Sequence, residues 1–247
     1  MSRMTGKTAV IVGASRGIGK GVALAFASEG AHVIAVARRE GDNRFPGSVQ
    51  QTVDEIQHSG GDASAAFCDI ADAKAVAAMV EQILAQTGTI DILVNSAVQI
   101  VYDRFLDITE AVWDRAFEVN VKGAFLLTQA VAPSMIARRS GHIIHLTGSG
   151  AREIGVVTVA TGASKAALER FVVGVAEEFR VHNVAVNLFD PGGVKTERAV
   201  VLQGADRDWS GFATPAEVAR AAVHLALQSA QTITGSLFRY QDYRKMK

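Results

Sequence analysis

Two stretches of the chain hold residues whose types and spacing can do chemistry. In "VIVGASRGIGKGVALAF", Gly13, Gly17 and Gly19 follow a β-rich run and lead into a helical pattern. Gly13 allows a tight turn there, and Gly17 and Gly19 let backbone approach a pyrophosphate. Free N–H groups at the helix N-terminus would face its negative charge. The rival reading is an ordinary glycine-rich turn. In "TVATGASKAALERF", residues 158–171, Lys165 stands among small residues where a helix opens. It is either a solvated surface charge or a working group. A working lysine needs a partner, or a desolvated setting that lowers its pKa.

The elements around these stretches follow from hydrophobic patterning. Short apolar β-rich runs cover residues 8–12, 31–37, 63–70, 90–96, 141–148 and 184–193. Helical patterns separate them, over 17–30, 49–61, 74–88, 111–139 and from the lysine stretch to about Arg180. Pro133 is expected to bend the long pattern at 111–139. A further helix over 214–227 has Thr214 as N-cap and Pro215 at its first position, and "GSLFRY" near the end reads as an edge strand. Strands buried on both faces, each followed by a helix, build βαβ units and a parallel sheet with helices on both sides. The expected architecture is one α/β domain over 1–247, with "EGDNRFPGS" (40–48) as its most loop-like insertion.

Composition excludes several function classes. Twenty-five basic residues balance 25 acidic ones, so no electrostatic footprint points to nucleic acid or an anionic membrane. Hydrophobic residues make up 49% of the 247, enough for a large core. Cys68 is the single cysteine, which rules out an internal disulfide and fits a reducing compartment. The start lacks the uninterrupted apolar run of a signal peptide, and no segment reaches the roughly 18 apolar residues of a membrane span. A cytoplasmic protein is expected. The six histidines show no metal-ligand spacing: His142 and His145, three apart in a strand, point to opposite faces.

The glycine spacing is G-x-x-x-G-x-G. With "CDI" (68–70), "DILVNSA" (91–97), "VNVKGAF" (119–125), "SGHIIHLTG" (140–148), "ASKAAL" (163–168) and "DPGGVKT" (190–196), it resembles the short-chain dehydrogenase/reductase family over essentially the whole chain. The segment 45–63 and "RYQDY" look closer to the hydroxysteroid-dehydrogenase-like branch. The resemblance implies a Rossmann-type doubly wound fold, a nicotinamide dinucleotide, a carbonyl or alcohol substrate, and a homotetramer or homodimer through the two long helices. It also implies that Asp69 and Ile70 flank the adenine and that Asn95 and Ala97 line a ribose. Pro191, Gly192, Val194 and Thr196 would meet the carboxamide end, while Ser15, Arg16 and Ile18 join the three glycines around the phosphates.

Cofactor choice follows from charge. An acid ending the second strand would bind ribose hydroxyls and repel a 2′-phosphate. That position is Ala37, followed by Arg38 and Arg39, with Arg16 close by in the glycine loop. Guanidinium groups suit phosphate, so NADP(H) is expected over NAD(H). One departure is "NSAV" (95–98) where the family usually has "NNAG". Val98 adds bulk at the nicotinamide end.

The second departure concerns the lysine's partner. In the family a tyrosine four residues before the lysine exchanges a proton with the substrate, a serine after strand five positions the oxygen, and an asparagine completes a proton relay. Asn120 and Lys165 match the asparagine and lysine. Thr161 stands at the tyrosine position and Gly148 at the serine position. A threonine hydroxyl is a far weaker acid than a phenol and is too short to replace one. Ser149 is the preferred substitute for the serine. Thr147, Thr158, Ser164, Tyr102 and Lys165 itself remain open as proton carriers.

The catalytic set expected from sequence is therefore Asn120, Lys165, Ser149 and Thr161, with no metal. Residues about 195–213 form the expected substrate lid, and Val200, Val201, Leu202 and Trp209 within it point to an apolar small molecule. The expected function is an NADP(H)-dependent oxidoreductase with a non-standard proton donor. The alternative is a lyase, hydratase, isomerase or cofactor-binding pseudoenzyme on the same scaffold.

Overall fold

The computed structural model describes residues 2–39, 45–153 and 158–246; residues 40–44 of the expected insertion lie outside them. Seven strands form one sheet: β1 (Thr8–Val12), β2 (His32–Ala37), β3 (Asp62–Phe67), β4 (Ile92–Asn95), β5 (Gly141–Leu146), β6 (Val184–Asp190) and β7 (Leu237–Arg239). Their order is β3-β2-β1-β4-β5-β6-β7, and every pairing is parallel. The chain builds outward from β1 to β3, then returns to lay β4 on the other side of β1. That reversal is the switch point, where loops after β1 and β4 diverge and open a crevice.

Side-chain alternation along each strand feeds two cores. Ile11, Ile144 and Phe189 pack on one face with α1 (Gly17–Ser28) and with α8 (Pro215–Ala226). Val10, Leu93 and Ile143 pack on the other with Val80 of α3 (Ala73–Thr87), Leu127 of α5 (Gly123–Arg138) and Leu168 of α6 (Val159–Arg180). Helix α2 (Val49–His58) begins in a capping box between Ser48 and Gln51, and α8 in one between Thr214 and Glu217 with Pro215 first, as its sequence required.

The structure revises several of the expected elements. The long pattern at 111–139 divides into α4 (Glu110–Phe117), a π-helical turn (Glu118–Lys122) and α5. Pro133 lies inside the continuous α5, and the interruption falls at this widened turn. It holds the buried Asn120, whose side chain is tied to a neighbouring loop. β3 ends at Phe67 because Asp69 starts a turn, accepting from the Ala71 N–H at 3.0 Å. Beyond β7 the chain forms α9 (Tyr240–Lys245), which local patterning did not suggest. The remaining helix, α7 (Glu197–Gln203), lies within the 195–213 segment.

Candidate active site

The glycine loop sits on the switch point. Gly13 has φ +82°, and a Cβ added there would lie 2.7 Å from Ser96 Oγ and 2.8 Å from Ala97 N. A Cβ on Gly19 would lie 2.2 Å from the Gly13 carbonyl oxygen. Side chains at either position would force the loop away from β4, so this is a built cradle and not a generic turn. Thr52 of α2 steadies it by donating to the Ala14 carbonyl at 2.8 Å. Ser96, the family departure, donates to the Val12 carbonyl at 2.7 Å, and Val98 is half-buried beyond it.

Sequence reasoning missed Glu197. Its Oε2 accepts from the Gly17 N–H at 2.9 Å, placing a carboxylate at the positive end of α1. Arg198, the next residue, holds its guanidinium 5.4 Å from the centre of the Phe45 ring, and Arg16 lies 5.8 Å from the same ring. Arg16 also donates to the Gly47 carbonyl at 3.1 Å. No local motif marks Glu197, which is 180 residues from Gly17.

At the carboxyl end of β2, Ala37 is the last residue and Arg38 is exposed, whereas Arg39 covers the Phe67 ring at 4.7 Å. Asp69 accepts from Arg115 at 2.7 Å. Burial works to raise its carboxyl pKa, but the Ala71 N–H and Arg115 outweigh that and hold it below the usual value. The Ile70 side chain turns into the core, where a Cβ on Gly123 would meet its Cδ1 at 2.7 Å. Asn95 is buried, accepts from the Ala97 N–H at 3.2 Å and lies 3.3 Å from His145 Nδ1. At the other end, Gly192 has φ +66° and donates to Asp190 Oδ1 at 3.0 Å, forming the turn that carries Pro191. Val194 bridges to Ala213, and Thr196 caps α7 by accepting from the Ala199 N–H at 3.1 Å.

One hydrogen-bond network ties some of the expected catalytic residues together but does not take in Ser149. Asn120, Thr161, Ser164 and Lys165 gather at the opening of α6. Asn120 accepts from the Gln99 N–H at 2.8 Å and donates to the Gln99 carbonyl and to Ser164 Oγ, each at 2.9 Å. Ser164 donates in turn to the Thr161 carbonyl at 2.9 Å. The Thr161 hydroxyl accepts from the buried Val101 N–H at 2.8 Å, so it braces the loop after β4. Ser149 is exposed in a 3₁₀ turn (Ser149–Ala151) that packs against the opening of α6, where a Cβ on Gly162 would lie 2.7 Å from the Gly150 carbonyl oxygen. The turn's backbone closes onto Arg152 and Glu153, whose N–H groups each donate to the Ser149 carbonyl at 2.8 Å. Gly148 has an extended backbone, and a Cβ added there would meet nothing within 4 Å.

Lys165 is 7% exposed, and its Nζ donates to the Leu146 carbonyl, the last of β5, at 2.6 Å. Burial lowers its pKa to about 8, partly opposed by the Glu169 carboxylate one turn along α6. Beneath it lies His145, hydrogen-bonded to Thr128 at 2.9 Å. Burial first, and the Lys165 charge second, push the His145 pKa down to about 3, so this ring stays neutral.

A second missed feature is an ion-pair brace. Arg152 bonds both Glu169 and Asp190, and Glu169 also accepts from the Thr147 hydroxyl at 2.6 Å. Four segments are joined: the end of β5, the 3₁₀ turn, α6 and the last residue of β6. Together the site offers a glycine-lined cradle at the α1 N-terminus, cations near the end of β2, and a buried ammonium of unusually low pKa. Among the described residues no group of three or more His, Cys, Asp or Glu could hold a metal, and no helix is long and apolar enough to cross a membrane.

Comparison with known proteins gives concordant matches. The sequence profile of the family described as short chain dehydrogenase matches residues 7–205. A short chain dehydrogenase of Pseudocercospora fijiensis is 38% identical over 197 residues, covering 79% of this chain but 62% of that longer protein. The 7alpha-hydroxysteroid dehydrogenase of Escherichia coli K12 is 32% identical over 243 residues, 95% of this chain and 92% of the relative. The crystal structure of a metagenomic short-chain oxidoreductase in complex with NADP superposes with a TM-score of 0.81 at 32% identity, covering 96% of this chain and 98% of that one.

Proposed function

The chain belongs to the short-chain dehydrogenase family, and from that premise we propose that it is an NADP(H)-dependent oxidoreductase acting on a carbonyl or alcohol, with a non-standard proton carrier. The observation that carries this is the glycine cradle: α1 opens onto the switch point where neither Gly13 nor Gly19 tolerates a side chain. The residues fit a phosphorylated dinucleotide. Gly13, Ser15, Gly17, Ile18 and Gly19 take the pyrophosphate. Arg16 and Arg38 take the 2′-phosphate, at a strand end that carries Ala37 instead of an acid. Asp69 with Ile70 borders the adenine, Asn95 and Ala97 a ribose, and Pro191, Gly192, Val194 and Thr196 the nicotinamide end. Lys165 holds the second ribose. Bound there, the nicotinamide gives or takes the hydrogen and electron pair at the substrate carbon.

Residues 195–213 serve as the substrate lid. The Trp209 ring packs 5.0 Å from Phe212, which in turn presses on Gly193, so Trp209 stiffens this segment. The exposed Val201 and Leu202 are left to meet an apolar small molecule. The exposed Phe125 on α5, edge-on to Phe171 of α6, supports a homo-oligomer through these helices, and we place the protein in the cytoplasm.

The engagement of the Thr161 hydroxyl with Val101, together with a bare Gly148, favours a second reading as a non-redox enzyme or cofactor-binding pseudoenzyme. NADPH fluorescence and absorbance at 340 nm separate the readings. A fluorescence change on mixing, followed by loss of absorbance with a ketone and aldehyde panel, supports the first. Binding without absorbance loss supports the second, and no binding overturns both.

A further inference from the structure

Building on the oxidoreductase reading, we propose that Lys165 itself exchanges the proton with the substrate oxygen, and that the Arg152–Glu169–Asp190 brace is the positioning group that tunes it. Three nearby hydroxyls are already committed. Thr161 bonds Val101, Thr147 donates to Glu169, and Ser164 sits between Asn120 and the Thr161 carbonyl. Gly148 has no side chain, Ser149 is exposed, and Tyr102 is 47% exposed in the loop after β4. Lys165 differs from all of these. It is buried at the carboxyl end of β5, with one N–H on the Leu146 carbonyl. Among the described residues its other two N–H bonds have no protein partner. A buried ammonium with two undirected donors is costly unless a ligand takes them. One suits a ribose hydroxyl, the other the substrate oxygen.

The atoms balance. As the substrate carbon is reduced, the C=O π pair moves onto oxygen. One Lys165 N–H bond breaks, an O–H bond forms, and the neutral amine regains a proton from water. Oxidation runs the same path backwards. This requires an amine that gives up its proton near neutrality, and burial supplies that.

Glu169, on the same helix, bears on the Lys165 charge, and His145 on β5 stays neutral beside it. Glu169 favours the ammonium, but its carboxylate is shared with Arg152, which also holds Asp190. Arg152 therefore restrains how strongly Glu169 acts on Lys165. The two partners have opposite effects on Lys165. Removing the carboxylate in Glu169→Gln lowers the Lys165 pKa. Removing the guanidinium in Arg152→Gln leaves Glu169 unneutralised and raises it.

The test uses the full chain. Carbon-13 NMR of ε-labelled lysines follows Lys165 in the substrate-free protein, its resonance identified by its loss in Lys165→Arg. The expected result is a shift of about half a pH unit or more in opposite directions for Glu169→Gln and Arg152→Gln. The alkaline limb of kcat/KM should move with it. Lys165→Arg keeps a cation but not a transferable proton, so it should bind NADPH by fluorescence while kcat falls about 100-fold or more. Undiminished turnover by Lys165→Arg overturns the proposal while leaving the oxidoreductase reading intact. So do shifts in the same direction or none. A wild-type protein that binds NADPH yet turns over no carbonyl overturns both.

Discussion

Replacing Thr161 with valine removes one oxygen and changes little else in shape. Val101 is 4% exposed, and its N–H donates to Thr161 Oγ1 at 2.8 Å across 60 residues of sequence. Without that oxygen a buried amide is left unsatisfied, which costs about 1–3 kcal/mol. In a chain of this size about 1 kcal/mol moves Tm by roughly 2–4 °C, so Thr161→Val should unfold about 2–12 °C below wild type. Thr161→Ser keeps the acceptor and should stay much closer to wild type. Thermal unfolding followed by circular dichroism at 222 nm measures both. If Thr161 is a strut and not a catalyst, Thr161→Val keeps its turnover per folded molecule, read at 340 nm. A valine variant with wild-type Tm and turnover reduced about 100-fold would refute this reasoning and return Thr161 to the chemistry. The companion double variant Thr161→Tyr with Gly148→Ser gives up the same bond but adds a phenol and a serine. Position 148 has room for it. Reductase turnover should rise by about 10²- to 10⁴-fold if the rest of the site is in place.

Three further outcomes are expected. Glu197→Gln removes a negative charge from the α1 N-terminus while keeping an acceptor for the Gly17 N–H. NADPH should then bind about 3- to 30-fold more tightly by fluorescence titration. Arg38→Ala should weaken NADPH about 10- to 100-fold and leave NADH nearly unchanged, because only the 2′-phosphate loses a charge-assisted partner. Burial depresses the pKa of His142 to about 4 and that of His145 to about 3. The unfolded chain takes up protons at these rings from about pH 6.5 downward while the folded one resists. Stability should therefore fall between pH 6.5 and 4, by up to about 2.7 kcal/mol per pH unit from the two rings, with no contribution from them above pH 7. Urea unfolding across that range measures the slope.

Much of this protein follows from local pattern. Runs such as "TAVIV" and "VAVNLFD" are apolar at successive positions because both faces of a parallel strand are covered. Thr214, Pro215 and Glu217 mark a helix start by side-chain chemistry that needs no distant partner. Gly13, Gly17 and Gly19 announce their cradle because only glycine tolerates that approach, and the absence of an acid at Ala37 is a single-position fact. That Thr161 and Gly148 depart from the family could also be read directly.

What those departures do could not. A threonine at position 161 reads the same whether its hydroxyl faces a substrate or the Val101 amide, and only the packing of α6 against the loop after β4 decides between them. The Glu197 carboxylate on α1 and the Arg152 brace share that cause. Each depends on groups far apart in sequence that the sheet's winding brings together. Spacing along the chain reports backbone periodicity. The low pKa of Lys165 comes from the walls around it, and those exist only once α6 closes over β5.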